Sequence, residues 1–228
     1  MKLRFALALA TATTIIAPAA ASAQAPAARQ DWSRAVTATA EGGYRIGNPE
    51  APVKLVEYAS LTCPHCASFA VESKSHLIAN HVRTGRVSYE FRNYILNGID
   101  AAATLLSRCA APDRFFPLTQ QLFESQDDWS NRIRALSAAE KSRIMGLPQA
   151  EAYAQVVQAA GLLDIAAQHG VTPERGRACI GDAAAVSQLE RMASAAEALG
   201  VEGTPTFFLN GRKLDVNTWA QIEPLLGG

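Results

Sequence analysis

The sequence predicts an α/β fold in which a long helical insertion interrupts a small sheet. Residues 52–92 read as strand, helix and strand, residues 99–199 carry mainly helix signals, and residues 205–216 return to a strand, turn and strand pattern. Strand, helix, strand is typical of a parallel pair. The expected layout is therefore βαβ, an all-helical insertion, and ββα.

The first 23 residues predict a signal peptide. Lys2 and Arg4 precede a run of apolar and small residues, and Ala21-Ser22-Ala23 fits the cleavage pattern. A membrane anchor is the alternative, but the threonines in the run leave fewer than the ~20 apolar residues that a span needs. We expect cleavage on export to the periplasm.

The overall charge of the chain does not point to a partner of opposite charge. Residues 1–23 hold two of the 21 Lys and Arg residues and no acid, so the exported part has 19 cations against 21 acids. A near-neutral chain gives no argument for nucleic acid or an anionic membrane. The 49% hydrophobic content can fill the core of one domain, or of one domain with a large insertion.

Strand signals bracket the first predicted helix. Residues 35–39 form a short candidate strand, and residues 44–46 can pair back on it. Residues 52–59 are almost continuously apolar, which is typical of a strand buried on both faces. A helix follows over 64–82 with proline at its first position. Residues 86–92 alternate as a second strand.

The insertion begins with helices whose starts carry cap signals. Asp100 can cap a helix that runs through Ala111, and Pro112 can open another through about Glu124. Ser137, with a glutamate three residues later, has the spacing of a capping box.

The C-terminal part returns to strands. A helix over about 182–199 ends before a glycine, and residues 205–209 read as a strand. Asn210-Gly211 is a strong hairpin signal, so residues 212–216 should pair back and 217–226 should form a last helix.

Four cysteines, Cys63, Cys66, Cys109 and Cys179, lie in the exported part, where cysteines tend to pair. Their three possible connectivities cannot be separated by counting. A structural zinc site usually needs two close pairs, and only Cys63 and Cys66 are close, so we expect no metal.

The CPHC motif predicts redox chemistry rather than a staple. A disulfide across so short a loop constrains the unfolded chain little. Cys63 should be the N-cap of the following helix, where the free N–H groups and the helix dipole stabilise a thiolate, and His65 adds a donor or a positive charge. A pKa near 4 would stabilise the reduced form by about 4 kcal/mol at pH 7, or roughly 90 mV. Cys66 should be less exposed and keep a more ordinary pKa.

With CPHC after a strand and GTPTF after the last long helix, the chain resembles the DsbA-like thiol oxidoreductases of the thioredoxin superfamily. GNPEAPVKLVEYASLTCPHC, LFESQDDW and GVEGTPTFFLNG carry the resemblance over roughly 44–224. It implies a thioredoxin fold with a large helical insertion. The implied divisions are a signal peptide (1–23), a leader (24–43), a first thioredoxin part (44–98), the insertion with its connecting helix (99–199) and a second thioredoxin part (200–228).

The resemblance also implies roles for individual residues. Cys63 would be the exposed nucleophile and Cys66 its resolving partner, with Pro64 and His65 tuning the potential. Thr204–Pro205 would be a cis peptide that faces the disulfide and binds a substrate strand. Glu57 would be a buried proton relay for Cys66; the alternative is a solvated carboxylate at a strand edge.

If Cys63 pairs with Cys66, Cys109 and Cys179 remain either as a structural disulfide, which we expect in an exported protein, or as two free thiols. A regulatory redox role for the second pair is the further alternative. Threonine before the proline, where the best-known enteric oxidases have valine, leaves isomerase activity open.

The expected activity is oxidation of reduced or unfolded exported proteins by the Cys63–Cys66 disulfide, without a soluble cofactor. The resemblance implies reoxidation by a quinone-linked membrane protein of the DsbB type. The leader is too short for an isomerase-type dimerisation domain, so a monomer is expected. The alternatives are a reductase or isomerase, or an exported chaperone or binding module with an inert disulfide.

Overall fold

A computed structural model describes residues 30–227. The predicted signal peptide and the first part of the predicted leader, residues 1–29, lie outside these residues. The strands are β1 Val36–Ala38, β2 Tyr44–Ile46, β3 Val53–Ala59, β4 Val87–Asn93, β5 Thr206–Leu209 and β6 Arg212–Lys213. The α-helices are α1 Pro64–His76, α2 Gly98–Ser107, α3 Pro112–Glu124, α4 Gln126–Ala135, α5 Ala138–Met145, α6 Gln149–Ala160, α7 Leu162–Gln168, α8 Pro173–Ile180, α9 Ala183–Ala198 and α10 Trp219–Ile222. Two 3₁₀ turns, Trp32–Arg34 and Glu223–Leu226, and a π-helical turn, Leu77–Val82, complete the elements.

The strands form one mixed sheet with the order β1-β2-β4-β3-β5-β6. β3 and β4 are parallel, which confirms the predicted βαβ unit, and β5 runs antiparallel to β3 on its other side. β1 and β2 form the expected antiparallel pair, and β2 continues the sheet from β4. The predicted α/β fold with a helical insertion, carried by α2 to α9, is confirmed.

The two faces of the sheet are covered by different layers. On one face Leu55, Phe91 and Phe207 belong to the main core, where the ring centroid of Phe69 in α1 lies 4.5 Å from that of Phe207, with the two rings tilted. α3 packs on the same face, and its Phe115 meets Phe91. The opposite face carries a smaller cluster that includes residues of β3, β5 and α9. β3 is therefore central and covered on both sides.

The helix after CPHC differs from the prediction in its second half. α1 ends at His76, and Leu77–Val82 form a π-helical turn rather than the end of one α-helix over 64–82. The wider turn keeps Leu77 and Val82 in the core, both with at most 2% of their surface exposed. Packing of these two residues against the sheet accounts for the π-helical turn, which the helical spacing of apolar residues in the sequence does not indicate.

The predicted cap at Asp100 is wrong. Asn97 is the N-cap of α2, and its side-chain oxygen accepts from the backbone N–H of Asp100. α2 also ends at Ser107, four residues before the predicted Ala111. Asp100 is completely buried inside the first turn of α2, where its carboxylate accepts the backbone N–H groups of Leu61 and Leu96.

Other caps follow the prediction more closely. α3 spans Pro112–Glu124 as expected, and Ser137 with Glu140 forms a capping box at α5. Asn210 and Gly211 have φ of 49° and 82°, which makes the predicted hairpin turn. β6 has only two residues instead of 212–216, and the last helix is a short α10 followed by a 3₁₀ turn.

A disulfide closes the helical insertion. Cys109, just after α2, is bonded to Cys179 of α8 across 70 residues, with the Cα atoms 6.0 Å apart. Among residues 30–227, no helix has both the length and the apolar character needed to cross a bilayer.

Candidate active site

Cys63 and Cys66 lie where the parallel β3 leads into α1. Cys63 is the N-cap of α1, Pro64 is its first residue, and Cys66 lies one turn inside. Both cysteines are free thiols. Cys63 retains 6% of its surface and Cys66 none, so the expected exposed nucleophile is in fact largely covered. Pro64 and His65 are exposed beside it.

The surroundings of Cys63 favour its thiolate. Its pKa is lowered to about 5, most strongly by a hydrogen bond with the Cys66 side chain. Thr204 and the backbone N–H groups of Cys66 and His65 also lower the pKa, while burial opposes them. The free N–H groups at the helix start, which the sequence predicted as the source of a lowered pKa, contribute less than the Cys66 side chain. The sulfur is therefore largely ionised at pH 7.

Cys66 has the opposite environment. Burial raises the pKa of its thiol far above the ordinary value, and its interactions with Cys63 and Glu57 raise it further. The predicted ordinary pKa for Cys66 is wrong, because the thiol is enclosed by the core and lies near the Cys63 sulfur and the Glu57 carboxyl group. The pair is thus asymmetric, with a thiolate at Cys63 and a protonated thiol at Cys66.

Glu57 is buried behind this pair, and the alternative of a solvated carboxylate at a strand edge is wrong. It lies on central β3, in register with Phe91 on one side and Phe207 on the other. Only 1% of its surface is exposed, and burial raises its pKa to about 8. The hydroxyl of Tyr89 donates to one carboxylate oxygen. The other oxygen, Oε1, has no hydrogen-bond partner in the described part of the chain.

Thr204 and Pro205 lie over the cysteine pair. Their peptide bond is cis, and the Cys63 sulfur lies 3.3 Å from the carbonyl oxygen of Thr204, to which it donates when it is protonated. Pro205 is buried and leads into β5, which pairs with β3. Cys63, after β3, and Thr204, before β5, are 141 residues apart in the sequence but meet at the Cys63 sulfur.

Two site residues were missed by sequence reasoning. The side-chain nitrogen of Gln126, Nε2, donates to the carbonyl oxygens of Leu61 and Cys63, at 2.8 and 3.0 Å. Asp100 accepts the backbone N–H of Leu61 at 2.9 Å. Both residues belong to the helical insertion, and only LFESQDDW, which contains Gln126, marked one of them in the sequence. Among residues 30–227, no cluster of three or more His, Cys, Asp and Glu side chains could hold a metal ion.

Comparison with protein families places most of the chain in one of them. The model described as Thioredoxin matches residues 39–227. A protein from Rickettsia bellii is 29% identical to this chain over 170 residues. Its name, protein-disulfide oxidoreductase, is a provisional one. The match covers 73% of this chain and 56% of that protein. The chain thus spans about half the length of the curated relatives it matches.

Solved structures agree with this assignment. A protein-disulfide isomerase from Novosphingobium aromaticivorans has a TM-score of 0.74 and 29% identity, over 81% of this chain and 97% of that one. Wolbachia pipientis alpha-DsbA1 has a TM-score of 0.64 and 23% identity, over 81% and 88%. The likeness to the second structure concerns the fold. The resemblance to DsbA-like proteins is confirmed in the fold.

Proposed function

This chain belongs to the thioredoxin family, and we propose that it is a periplasmic protein-thiol oxidase that donates a Cys63–Cys66 disulfide to exported proteins. The observation that carries the proposal is the asymmetry of the two sulfurs. Cys63 has a pKa near 5, whereas the pKa of buried Cys66 is raised. Stabilising the thiolate stabilises only the reduced form, and a stable reduced form makes the disulfide a strong oxidant.

The reaction transfers one disulfide. A substrate thiolate attacks the sulfur of Cys63, the Cys63–Cys66 bond breaks, and Cys66 leaves with the electron pair and takes up a proton. A second substrate thiolate then attacks the substrate sulfur of the mixed disulfide and releases Cys63 as a thiolate. The substrate loses two electrons and the enzyme gains them. The free thiols of the structure correspond to this reduced product.

Glu57 is suited to supply the proton. Its pKa of about 8 keeps most of it protonated at pH 7, in the core behind Cys66. A protonated carboxyl group can donate to the leaving Cys66 sulfur, and the resulting carboxylate can take the proton back during reoxidation. Glu57 therefore acts as the proton relay in the proposed cycle.

Substrate binding is assigned to the cis-proline segment. Thr204 and Pro205 cover the Cys63 sulfur, so an extended substrate can reach it only beside their backbone. The substrates are reduced or unfolded exported proteins, and the reoxidant is a quinone-linked membrane protein of the DsbB type. Export through the signal peptide over 1–23 brings enzyme, substrate and reoxidant into one compartment.

An isomerase is the second candidate, because the Novosphingobium neighbour is titled a protein-disulfide isomerase. Threonine before the cis-proline is compatible with it. An isomerase needs its pair reduced in the periplasm, so the redox equilibrium separates the two functions.

The deciding experiment equilibrates the protein with glutathione buffers and measures alkylation of Cys63 and Cys66 by peptide mass spectrometry. This readout reports Cys63 and Cys66 separately from the Cys109–Cys179 bond. A potential of roughly −80 to −160 mV supports the oxidase, since it lies at the oxidising end of thioredoxin-fold proteins. A value of roughly −180 mV or below overturns it: near −180 mV the potential favours an isomerase, and at roughly −250 mV or below it favours a reductase.

A further inference from the structure

The loop that presents Cys63 is held by side chains of the helical insertion. Gln126, at the start of α4, donates to the carbonyl oxygens of Leu61 and Cys63 through one side-chain nitrogen. Asp100, in the first turn of α2, accepts the N–H of Leu61 through Oδ1 and the N–H of Leu96 through Oδ2. The backbone N–H and the carbonyl oxygen of Leu61 are therefore both bound by residues outside the thioredoxin part.

The contact at Cys63 is the more informative of the two. The carbonyl oxygen of Cys63 also accepts the first backbone bond of α1, from Ala67 N at 3.1 Å. Gln126 thus binds the atom at which the helix begins. Rotation of this carbonyl would change ψ of Cys63, now 119°, and with it the direction of the side chain relative to the helix N–H groups.

Gln126 can bind both carbonyl oxygens because its amide group carries two hydrogens. Only 5% of its surface is exposed, so water cannot readily replace it as a donor. An apolar side chain in its place would remove the Gln126 donor from the Leu61 carbonyl oxygen and would leave the Cys63 carbonyl oxygen with its bond from Ala67, in a buried site. Such oxygens tend to turn towards another donor.

We propose that Gln126 is a positioning residue that fixes the Cys63 peptide and so holds the Cys63 sulfur at the N-terminal end of α1, which makes the helical insertion part of the redox centre. The insertion then sets how readily Cys63 ionises, although Gln126 touches neither sulfur. The link from ionisation to oxidising power rests on the proposed function, whereas ionisation itself does not.

The test is Gln126→Met, which keeps the length of the side chain and removes both donor hydrogens. Thiolate absorbance at 240 nm is titrated in the reduced protein, with the Cys109–Cys179 bond intact. We expect the midpoint of Cys63 to rise by about one pH unit, the effect of losing roughly one charge-assisted hydrogen bond. The equilibrium constant with glutathione at pH 7 should fall about tenfold.

Gln120→Ala is the matched control. Gln120 also lies in the insertion and donates to a backbone oxygen of α1, that of Ala70, at 3.2 Å, but one turn past the cysteines. This variant should leave the midpoint of Cys63 unchanged. An equal rise in both variants would mean general loosening, and an unchanged midpoint in folded Gln126→Met would overturn the proposal.

Gln126→Asn covers the case in which the methionine variant does not fold. The shorter amide keeps its donors but cannot reach both oxygens, so a smaller rise in the midpoint is expected. An unchanged midpoint in this variant would then overturn the proposal. A strongly reducing wild-type protein would refute the oxidase, while the change in midpoint on substitution would still decide the role of Gln126.

Discussion

Replacement of Glu57 by glutamine should stabilise the protein at neutral pH. In the folded protein the pKa of Glu57 is about 8, against 4.5 for an ordinary glutamate. Between these values the unfolded chain releases the proton and the folded chain keeps it. Stability therefore is highest below pH 4.5 and falls by about 1.4 kcal/mol per pH unit until it levels off above pH 8.

The expected gain follows from this difference. At pH 7 the buried carboxyl group has cost about 3 kcal/mol relative to low pH. Glutamine cannot ionise, but its amide nitrogen would take the place of an oxygen that has no partner, at a cost of about 1 kcal/mol. Glu57→Gln should thus be about 2 kcal/mol more stable at pH 7 and slightly less stable at pH 4, with the curves crossing near pH 5.

The assay is urea unfolding from pH 4 to 9 in a background with Cys63→Ser and Cys66→Ser, so that the cysteine pair does not titrate. The difference between the two unfolding free energies isolates residue 57, because other groups are common to both proteins. A difference that stays constant from pH 4.5 to 8 would refute the reasoning, since it would mean that Glu57 ionises alike in the folded and unfolded chain.

Three further predictions concern neighbouring groups. The thiolate absorbance of the reduced protein should titrate near pH 5 and disappear in Cys63→Ser. A midpoint near 9 would contradict the assignment of the Cys66 side chain, Thr204 and the helix N–H groups as the groups that lower the pKa of Cys63. Replacing Cys109 and Cys179 by serine should lower the free energy of unfolding by about 4 kcal/mol, because the bond closes a loop of about 70 residues, and should leave the Cys63 midpoint unchanged. Tyr89→Phe removes the hydroxyl that lowers the pKa of Glu57, so the pH at which stability levels off should rise above 8. Tyr58 is also buried, on the other face of the sheet, and Tyr58→Phe should leave that pH unchanged.

Local signals in the sequence predicted the position of the reactive pair well. Proline favours the first position of a helix, so Pro64 indicated Cys63 as the N-cap, and the apolar run of β3 indicated a strand before it. The hairpin at Asn210-Gly211 and the capping box at Ser137 are equally local, and both are present.

What the sequence did not predict depends on distant contacts. Asp100 looked like a cap, but its carboxylate binds Leu61, 39 residues away, and Asn97 takes its place at the helix start. Gln126 reaches Leu61 across 65 residues. A polar residue in an amphipathic helix carries no mark of which backbone oxygen it will meet.

The two edges of the sheet bear on how this protein can meet unfolded chains. β1 has three residues, and β6 consists of exposed Arg212 and Lys213 alone. Long open edges recruit extended chains by strand addition and lead to aggregation, and short or charged edges prevent this. An oxidase of the proposed kind with such edges can hold a client at Cys63 and beside Thr204 and Pro205 without extending its own sheet along β1 or β6. Release of the client then requires breaking the mixed disulfide and leaving that segment, but no separation of strands at a sheet edge.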